Sequence, residues 1–353
     1  MFIDSIRVSQ THLGKHRVFS DGLVAHLDAN GDLERTTLKS VRHEGSDSTS
    51  IQIRCDGKQV FVAGNVGRFN RPDNVFNYGL GSTQSIINQI LEGLDIPPFT
   101  AGERIYRSFK NKAGEVIDQV DYTGARFSEI HCTQNYSTGS AQSAEDFLYN
   151  SGMVKPGRQK TRAYPTGATY GEGSRFKSEK IYNKAEDLKR LVRSGKLSDS
   201  EYIKKLIKWC NEQGMVRAEI QYRNYLARHG LAFWGEVTHL DLEKHFKEDE
   251  KIMIKDTEIF DVDKLTRTYR TTYFDYINGV NLKNRMSKTT FYKHRNELLK
   301  YGIDIAITLN VQRLPVQTKV IEIAPCMSRP DFYYMPDVLP WHDSSHLALA
   351  KTA

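Results

Sequence analysis

The sequence predicts an α+β fold, with an antiparallel sheet that carries the functional site and helices that cover the other face of this sheet. Residues 1–80 contain alternating polar and apolar segments separated by Asn30-Gly31 and Asp56-Gly57, a pattern typical of β-hairpins. Apolar residues at helical spacing follow Ser82, and Ser198-Asp199-Ser200-Glu201 is a capping-box pattern that opens a later helix. Both kinds of element are therefore expected in a chain that, with 353 residues, can bury a full core.

The individual elements follow in order along the chain. The segment 58–63 is predicted as a strand that runs into Gly64-Asn65-Val66-Gly67-Arg68, where glycines permit a sharp turn. Pro97-Pro98 ends the helix that begins at Ser82. Further strands are predicted at 125–135, around residue 182 and at 215–223, and further helices at 143–151 and 185–213.

The composition changes near residue 250, where both signs of charge accumulate. This change predicts a domain at 1–250 that includes the β-rich N-terminal part, a smaller unit at 256–325 and an irregular tail at 327–353. Ser287 is placed to cap a helix, and strands are predicted after it at 303–311 and near 318–323. A helix ahead of two strands resembles a small winged-helix module, which we expect for the smaller unit.

The chain carries a net charge of +7 and has a pI near 9.0. This positive surplus favours a polyanionic partner. The four cysteines are scattered and form no C-x-x-C pair, which argues against a zinc ribbon or a disulfide scaffold and fits a reducing cytoplasm. No secretory signal is recognisable and no apolar stretch approaches the roughly 20 residues that span a bilayer, so no membrane partner is expected.

Three predicted strands each present a polar face, because side chains alternate between the two faces of a sheet. If these strands are neighbours, their polar faces converge on one site. The three sets are Glu129, His131 and Thr133; Lys180, Tyr182 and Lys184; and Arg217, Glu219 and Gln221.

The residue types in these sets suit phosphodiester chemistry. Carboxylate and imidazole ligands suit Mg²⁺ or Mn²⁺, and such a cation acts as a Lewis acid on a phosphate oxygen. A free tyrosine phenol has a pKa of about 10 and is a weak nucleophile until it is activated. Lys180 or Lys184 is placed to lower the pKa of Tyr182 or to stabilise the pentacoordinate phosphorus.

Each of these residues also has an ordinary structural interpretation. A tyrosine on a half-buried strand usually packs, and a histidine on a strand is more often a hydrogen-bonded structural residue. Glu219 beside Arg217 fits a plain ion pair of the sheet. The pattern alone therefore leaves both interpretations open for Tyr182, His131 and Glu219.

Sequence motifs favour the functional interpretation. The strings Ile181-Tyr182-Asn183-Lys184 and Arg217-Ala218-Glu219-Ile220 resemble the paired "IYNK" and "RxEI" signatures of rolling-circle replication initiators. Two further strings resemble the filamentous-phage initiators (gene II type) more than the plasmid initiators of the Rep_trans type. These strings are Gly64-Asn65-Val66-Gly67-Arg68-Phe69-Asn70 and Ser287-Lys288-Thr289-Thr290-Phe291-Tyr292-Lys293-His294-Arg295.

The resemblance implies a metal-dependent tyrosine nicking and joining endonuclease. Such an enzyme initiates and terminates rolling-circle replication of a circular phage genome through a 5′-phosphotyrosine intermediate. The resemblance implies that 1–250 is the catalytic nicking domain, related to the HUH class, and that 256–325 is an accessory DNA-binding module. Tyr182 is then the nucleophile, assisted by Lys180 and Lys184.

The resemblance also implies a metal site. The cation is Mg²⁺ or Mn²⁺, and its expected ligands are His131, Glu219 and Glu129. The string Glu129-Ile130-His131 departs from the "RLD" string that is usual at this place. A histidine there resembles the histidine-bearing strand of the wider HUH endonuclease class.

Two segments are predicted to contact DNA. The helix after Ser287 carries basic and aromatic side chains suited to a phosphate-rich groove, and the basic segment 153–176 suits single-stranded DNA beside the nick. A solvated helix face and a surface loop are the corresponding structural alternatives. The predicted DNA-binding residues are Lys288, Tyr292, Lys293, Arg295, Arg158, Lys160 and Arg162.

The resemblance implies the partners as well. They are origin DNA, as double-stranded replicative form and single-stranded plus strand, together with the helicase and DNA polymerase of the bacterial host. The expected location is the host cytoplasm.

Two other functions are compatible with the sequence. A non-enzymatic DNA-binding replication regulator needs only the helix at 282–300, and the polar strand faces are then structural. A metal nuclease that activates water leaves Tyr182 as a packing residue. Nicking by a Tyr182→Phe variant tests the first alternative, and a covalent protein–DNA adduct tests the second.

Overall fold

The computed structural model describes residues 1–110, 113–153, 161–250, 265–299, 303–306 and 323–341. Within these ranges the chain has the predicted α+β architecture, with one large antiparallel sheet and several helices. The strands are β1 (Phe2–Thr11), β2 (Val18–Phe19), β3 (Leu23–Leu27), β4 (Leu33–Leu38), β5 (Val41–Glu44), β6 (Ser50–Asp56), β7 (Gln59–Gly64), β8 (Arg104–Lys110), β9 (Val116–Tyr122), β10 (Arg126–Ser137), β11 (Thr161–Tyr164), β12 (Gly167–Tyr170), β13 (Lys177–Asn183), β14 (Met215–Tyr222) and β15 (Ala324–Pro325). The helices are α1 (Leu80–Gly93), α2 (Ala141–Met153), α3 (Lys184–Arg193), α4 (Glu201–Glu212), α5 (Asn224–Arg228), α6 (His239–Glu250), α7 (Arg267–Ile277), α8 (Leu282–Arg285) and α9 (Lys288–Leu299), with a 3₁₀ turn at Val66–Arg68.

The large sheet runs in the order β11-β12-β13-β14-β10-β1-β7-β6-β2, with β5 beside β6 and β15 beside β10. All of its pairings are antiparallel. The predicted hairpin turns are present, since Gly31 lies between β3 and β4 and Gly57 between β6 and β7, both with positive φ. The long strand β10 thus has β1 on one side and β14 on the other.

The main core lies on one face of this sheet. Ile130 and Cys132 of β10 and Ile220 of β14 are fully buried there, in one cluster with Phe147 of α2 and Phe246 of α6. Alternation along each strand sends these apolar side chains to the side opposite the polar sets. The polar sets therefore lie on the face of the sheet opposite the main core.

Helices also cover part of the polar face, so the prediction that helices lie on one face only is wrong. Met215 of β14 is on the polar side, and its Sδ is 3.8 Å from Sγ of Cys210 in α4. Ile203 of α4 and Leu188 of α3 are buried in the same second cluster. The apolar stripes of α3 and α4 need burial, and the Met215 end of the sheet supplies an apolar surface for them.

The helices α7, α8 and α9 share a separate apolar cluster that includes Tyr273, Leu282 and Phe291. Ser287 caps α9 as predicted, since its Oγ accepts a hydrogen bond from the backbone N–H of Thr290. The described start of the predicted 303–311 strand is a turn instead, at 303–306. The rest of that strand and residues 318–322 lie outside the described residues.

The C-terminal residues 326–341 contain no helix or strand but are anchored on the body of the protein. The hydroxyl of Tyr333 donates to Asp73 Oδ1 at 2.7 Å, and the backbone N–H of Phe76 donates to it at 2.8 Å. The ring of Trp341 packs edge-on against Trp234. Side-chain contacts, together with backbone hydrogen bonds from Cys326 to Asn135 and from Trp341 to Gly81, therefore hold this irregular segment.

All four cysteines are free and buried. None of the helices within the described ranges is long and apolar enough to cross a bilayer.

Candidate active site

The structure places the three polar strand faces side by side. Strand β14 lies between β13 and β10, and Glu219 pairs with Lys180 on one side and with Thr133 on the other. Tyr182 pairs with Arg217 in the same register. Directly opposed residues of an antiparallel pair point to the same face, so these side chains share one side of the sheet.

A cavity of about 670 Å³ opens on this side of the sheet. Its wall combines cations, carboxylates and the phenol of the "IYNK" string. The wall-forming residues on which the chemistry depends are Asp4, Arg68, Asn74, Lys180, Tyr182, Asp187 and Glu219. A phenol and a carboxylate therefore line one space that a substrate can enter.

Tyr182 is half-buried in this wall. Burial raises the pKa of its phenol well above the ordinary value, Arg217 lowers it, and Glu219 raises it further. The phenol is consequently protonated in the free protein at neutral pH. Any nucleophilic role needs a positive charge beside it that favours the phenolate.

Arg217 supplies such a charge directly across from Tyr182. Its side chain is fully buried, with Nε donating to Asn135 Oδ1 at 2.9 Å and Nη2 donating to the carbonyls of Asn74 and Val75. Nη1 is buried without a hydrogen-bond partner. These contacts hold the guanidinium in place on the polar side of the sheet.

His131 lies between two carboxylates. Its Nε2 is 2.8 Å from Oε1 of Glu129, and its Nδ1 is 3.2 Å from Oε1 of Glu219. Glu129 also accepts hydrogen bonds from Nε2 of Gln221 and Nε of Arg223. Both ring nitrogens of His131 are thus engaged, and Glu129 is held by three neighbours.

The charges of this trio reinforce one another. Burial lowers the pKa of His131, but hydrogen bonds to Glu129 and Glu219 outweigh burial and raise it to about 9. The hydrogen bond from His131 holds the pKa of Glu129 at about 2. Burial raises the pKa of Glu219, but His131 and Lys180 outweigh that effect and lower it. The positive charge of protonated His131 therefore neutralises part of the negative charge of Glu129 and Glu219, which a bound cation would otherwise neutralise.

The donor types of the predicted metal ligands suit a divalent cation, since two carboxylates and an imidazole stand side by side. No three His, Cys, Asp or Glu side chains in the described part of the chain converge in an arrangement that could hold a metal ion. Binding requires a neutral imidazole, so His131 would have to release its proton and one of its carboxylate contacts. Glu219, which lines the cavity, is the best placed of the three.

The two predicted catalytic lysines occupy different positions. Lys180 is on the strand, lines the cavity, and has its Nζ 3.6 Å from Oε1 of Glu219. Lys184 is not part of the strand, which corrects the prediction that it continues the strand pattern. The strand ends at Asn183, whose Oδ1 caps α3 by accepting from the N–H of Glu186, and Lys184 is the first residue of that helix.

Lys184 still reaches the neighbourhood of the cavity. Its buried Nζ donates to Asn74 Oδ1 at 3.1 Å and to Asp187 Oδ2 at 3.0 Å, and both partners line the cavity wall. Burial and the nearby Arg217 lower the pKa of Lys184. Lys184 therefore contacts two residues of the cavity wall but is not itself one of the residues that line the cavity.

Sequence reasoning missed Asp4, which also lines the cavity. Its Oδ1 accepts hydrogen bonds from Nδ2 of Asn65 at 2.8 Å and of Asn74 at 2.9 Å. The pairing of β1 with β10 shifts between Ile3 and Ser5, so Asp4 sits at an irregularity of the strand. Simple alternation along β1 carries no signal for such a position.

The predicted DNA-binding residues of α9 divide into two groups. Lys288, Tyr292 and Lys293 are exposed. Arg295 is engaged in a bidentate pair with Asp304, at 2.5 Å and 2.6 Å. Three of the four side chains are therefore available to a partner, and the fourth holds the C-terminal end of α9 to residue 304.

The second predicted DNA segment is described only in part. Arg162 is exposed on β11, with Nη1 3.6 Å from Oε2 of Glu172 and its guanidinium over the ring of Tyr164. Tyr164 itself belongs to the cavity wall. Arg158 and Lys160 lie outside the described residues.

Comparison with known proteins identifies the family of the chain. The N-terminal family of the phage replication-associated protein, the gene II protein, matches residues 4–248, which is more than half of the chain, and the C-terminal family of the same protein matches residues 254–339. The replication-associated gene II protein of Enterobacteria phage I2-2 is 24% identical over 310 residues, covering 82% of this chain and 84% of the relative. The resemblance to the gene II type of filamentous-phage replication proteins is thereby confirmed, and the chain belongs to the family of replication-associated gene II proteins.

Proposed function

We propose that this chain is a metal-dependent tyrosine nicking and joining endonuclease that initiates and terminates rolling-circle replication of a circular phage genome. One observation carries the proposal: Tyr182 and Glu219 line the same cavity on the polar face of the sheet, beside Lys180. Membership of the gene II protein family supports DNA replication as the process. The polar sheet is, on this proposal, an HUH-like nicking core, and the unit around α9 is a winged-helix-like accessory module.

The chemistry is a transesterification. Water is not the nucleophile, so the phosphotyrosine retains the energy of the broken phosphodiester bond. The phenol oxygen of Tyr182 forms a bond to the phosphorus of the scissile phosphodiester, and the bond from phosphorus to the 3′ oxygen breaks. The phenol loses one proton and the 3′ oxygen gains one, so the step is neutral in protons. A 5′-phosphotyrosine and a free 3′ hydroxyl result, and attack by a 3′ hydroxyl on the phosphotyrosine rejoins the strand.

The surroundings of Tyr182 determine how the phenol is activated. Burial disfavours the phenolate, and the buried guanidinium of Arg217 opposes this effect from the directly opposed position. Lys180 on the same face adds a second positive charge near the reacting phosphate. These two cations favour both the attacking phenolate and the charge that develops on phosphorus.

A divalent cation, Mg²⁺ or Mn²⁺, is the proposed cofactor. Glu219 and His131 would hold it, with Glu129 as the third candidate, because their donor types match such a cation. When bound, the cation supplies Lewis-acid withdrawal of charge from a nonbridging phosphate oxygen.

The proposed partners follow from the reaction. Origin DNA is bound as the double-stranded replicative form and, at termination, as the displaced plus strand. The exposed basic side chains Lys288 and Lys293 of α9 are suited to duplex phosphates, and Arg162 with Tyr164 to single-stranded DNA at the cavity. Host DNA polymerase then extends the 3′ hydroxyl while a host helicase displaces the old strand in the host cytoplasm.

The direct test is nicking of supercoiled replicative-form DNA in the presence of Mg²⁺. We expect conversion to the open circle by the wild type and a loss of at least about a thousandfold in Tyr182→Phe, with origin binding retained. Normal nicking by Tyr182→Phe would remove the nucleophile from the proposal and favour a hydrolytic nuclease. Specific origin binding without nicking by the wild type would favour a non-enzymatic regulator.

A further inference from the structure

The string Gly64-Asn65-Val66-Gly67-Arg68 forms a tight turn at the end of β7. Gly64 has φ +135°, a conformation that favours glycine. A Cβ on Gly67 would lie 1.9 Å from Oδ1 of Asn77, so only glycine fits there. Oδ1 of Asn65 accepts the backbone N–H of Arg68 at 3.0 Å. Each residue of the string thus serves to fix the backbone from which the Arg68 side chain projects.

The turn is tied directly to the candidate active site. Asn65 donates from Nδ2 to Asp4, and Asp4 lines the cavity with Tyr182. Arg68 lines the same cavity wall. The string therefore places Arg68 on the wall of the cavity that Tyr182 also lines.

The guanidinium of Arg68 has unmet hydrogen-bonding capacity. Its Nε and Nη2 atoms are buried and have no hydrogen-bond partner, and its side chain forms no ion pair within the described residues. Buried donors without partners destabilise a fold, so such a group calls for a ligand. Arg71, which belongs to the same region, shows the contrast, because Nη1 and Nη2 donate to the carbonyls of Gly67 and Phe76.

Asp73, Asp4, Asp47 and Asp187 attract the charge of Arg68, but none of them forms an ion pair with it within the described residues. Two of these carboxylates have other partners. Asp4 accepts hydrogen bonds from Asn65 and Asn74. Asp187 is paired with Lys184 at 3.0 Å and with Arg190 at 2.7 Å. Arg68 is therefore a guanidinium without an ion-pair partner in the described residues, on the wall of a cavity that holds a candidate nucleophile.

We propose that the guanidinium of Arg68 binds the nonbridging oxygens of the scissile phosphodiester. A guanidinium edge matches two oxygens of one phosphate and retains its charge at all working pH values. The proposal rests on the proposed function and adds to it the residue that recognises the phosphate. Neutralising the nonbridging oxygens also stabilises the charge that develops as Tyr182 attacks.

The test compares single-turnover cleavage of a single-stranded origin oligonucleotide by the wild type, Arg68→Gln and Arg68→Lys. We expect Arg68→Gln to be about 100-fold to 1,000-fold slower. Arg68→Lys keeps the charge but loses the fork, so a defect of at least about tenfold is expected. Arg42→Gln is the matched control, because Arg42 is exposed on β5 and paired with Glu44, and its rate is expected to stay within about threefold of the wild type.

A second substrate separates phosphate binding from a structural role. It carries an uncharged methylphosphonate at the scissile position, which leaves the guanidinium no phosphate charge to stabilise. The wild type and Arg68→Gln are expected to cleave this substrate at rates within about threefold of each other. The thermal unfolding temperature of Arg68→Gln should stay close to that of the wild type, because the Arg68 side chain makes no hydrogen bond or ion pair within the described residues.

The outcomes distinguish the two proposals. A wild type that forms no covalent adduct with the phosphodiester substrate overturns the proposed function and this inference with it. Adduct formation by the wild type at a rate that Arg68→Gln matches overturns the role of Arg68 alone. A defect of Arg68→Gln that is equally large on the methylphosphonate substrate, or a lowered unfolding temperature, assigns Arg68 a structural role and also overturns the inference.

Discussion

Tyr182 and Arg217 oppose each other directly across the antiparallel pair β13 and β14, so that a phenol on the cavity wall stands against a fully buried guanidinium. Arg217 is anchored on Asn135 and on the carbonyls of Asn74 and Val75. The register of two neighbouring strands thus gives the phenol a fixed positive neighbour. This relationship supports the proposed role of Tyr182 as a nucleophile.

The rate of the proposed cleavage should rise with pH. Burial raises the pKa of Tyr182 well above 10, so the phenol is protonated below that pKa and the phenolate fraction grows about tenfold per pH unit. Single-turnover cleavage at saturating Mg²⁺ should therefore increase with a log–log slope of about one between about pH 6 and about pH 9. A flat profile over this range would show that deprotonation of Tyr182 does not control the rate.

The two glutamates of the trio should differ in their importance for cleavage. Glu219 lines the cavity, whereas Glu129 is held by His131, Gln221 and Arg223. We expect Glu219→Gln to slow cleavage by at least about 100-fold and Glu129→Gln by less than about tenfold. Titration of both variants with Mn²⁺ provides a readout besides activity and should show the larger loss of affinity for Glu219→Gln. Equal defects of the two variants in both assays would show that a position on the cavity wall does not identify a metal ligand.

The exposed lysines of α9 should contribute to DNA affinity through charge alone. Replacing Lys288 or Lys293 by Ala should weaken binding uniformly across sequences and reduce the slope of log K against log salt by about one for each lysine. Lys208 on α4, which is 79% exposed at its side chain, is the matched control, and its replacement should leave the slope unchanged. An identical effect of Lys208→Ala would indicate a general charge effect rather than a DNA-binding face.

Arg295 should behave differently from these lysines. Its bidentate pair with Asp304 makes it a structural residue of the α7–α9 unit.

The hydroxyl of Tyr333 should be important for stability. It donates to Asp73 and accepts from Arg71 Nη2 and the N–H of Phe76. Tyr333→Phe therefore removes one hydrogen-bond partner from each of these three buried groups. We expect the free energy of unfolding to fall by about 1–3 kcal/mol in urea denaturation. Tyr334→Phe at the exposed neighbouring position is the control and should change the free energy by less than about 0.5 kcal/mol. A Tyr333→Phe variant as stable as its control would show that the hydroxyl of Tyr333 does not stabilise the fold.

The polar faces of the central strands could be predicted from the sequence because strand alternation is local. A period of two is enough to place Tyr182 with Lys180 and Glu219 with Arg217 on one side of their strands. The adjacency of these strands was an assumption of that prediction, and the register Tyr182–Arg217 became visible only in the folded sheet. The position of the Arg217 guanidinium opposite Tyr182 therefore depends on the pairing of the strands and could not be predicted from alternation.

Other parts of the site lie at irregular positions of the backbone or on segments that are distant in sequence. The alternation of side chains along a strand predicts neither. Asp4 sits at a shift in strand pairing, and Arg68 reaches the cavity from a turn at the end of β7. Lys184 was misplaced because Asn183 caps a helix there, and a cap ends a strand pattern one residue earlier than alternation suggests. The anchoring of the C-terminal segment through Tyr333 likewise rests on contacts with residues 71–76, far away in sequence.

The measurement that tests the central claim most directly is mass spectrometry of the wild-type protein after incubation with origin DNA and Mg²⁺, denaturation, and digestion with protease and nuclease. The account predicts one nucleotide-bearing peptide, with the 5′ phosphate on Tyr182 and no such peptide from Tyr182→Phe. Cleaved DNA whose 5′ ends carry no protein, or a nucleotide on a residue other than Tyr182, would contradict it.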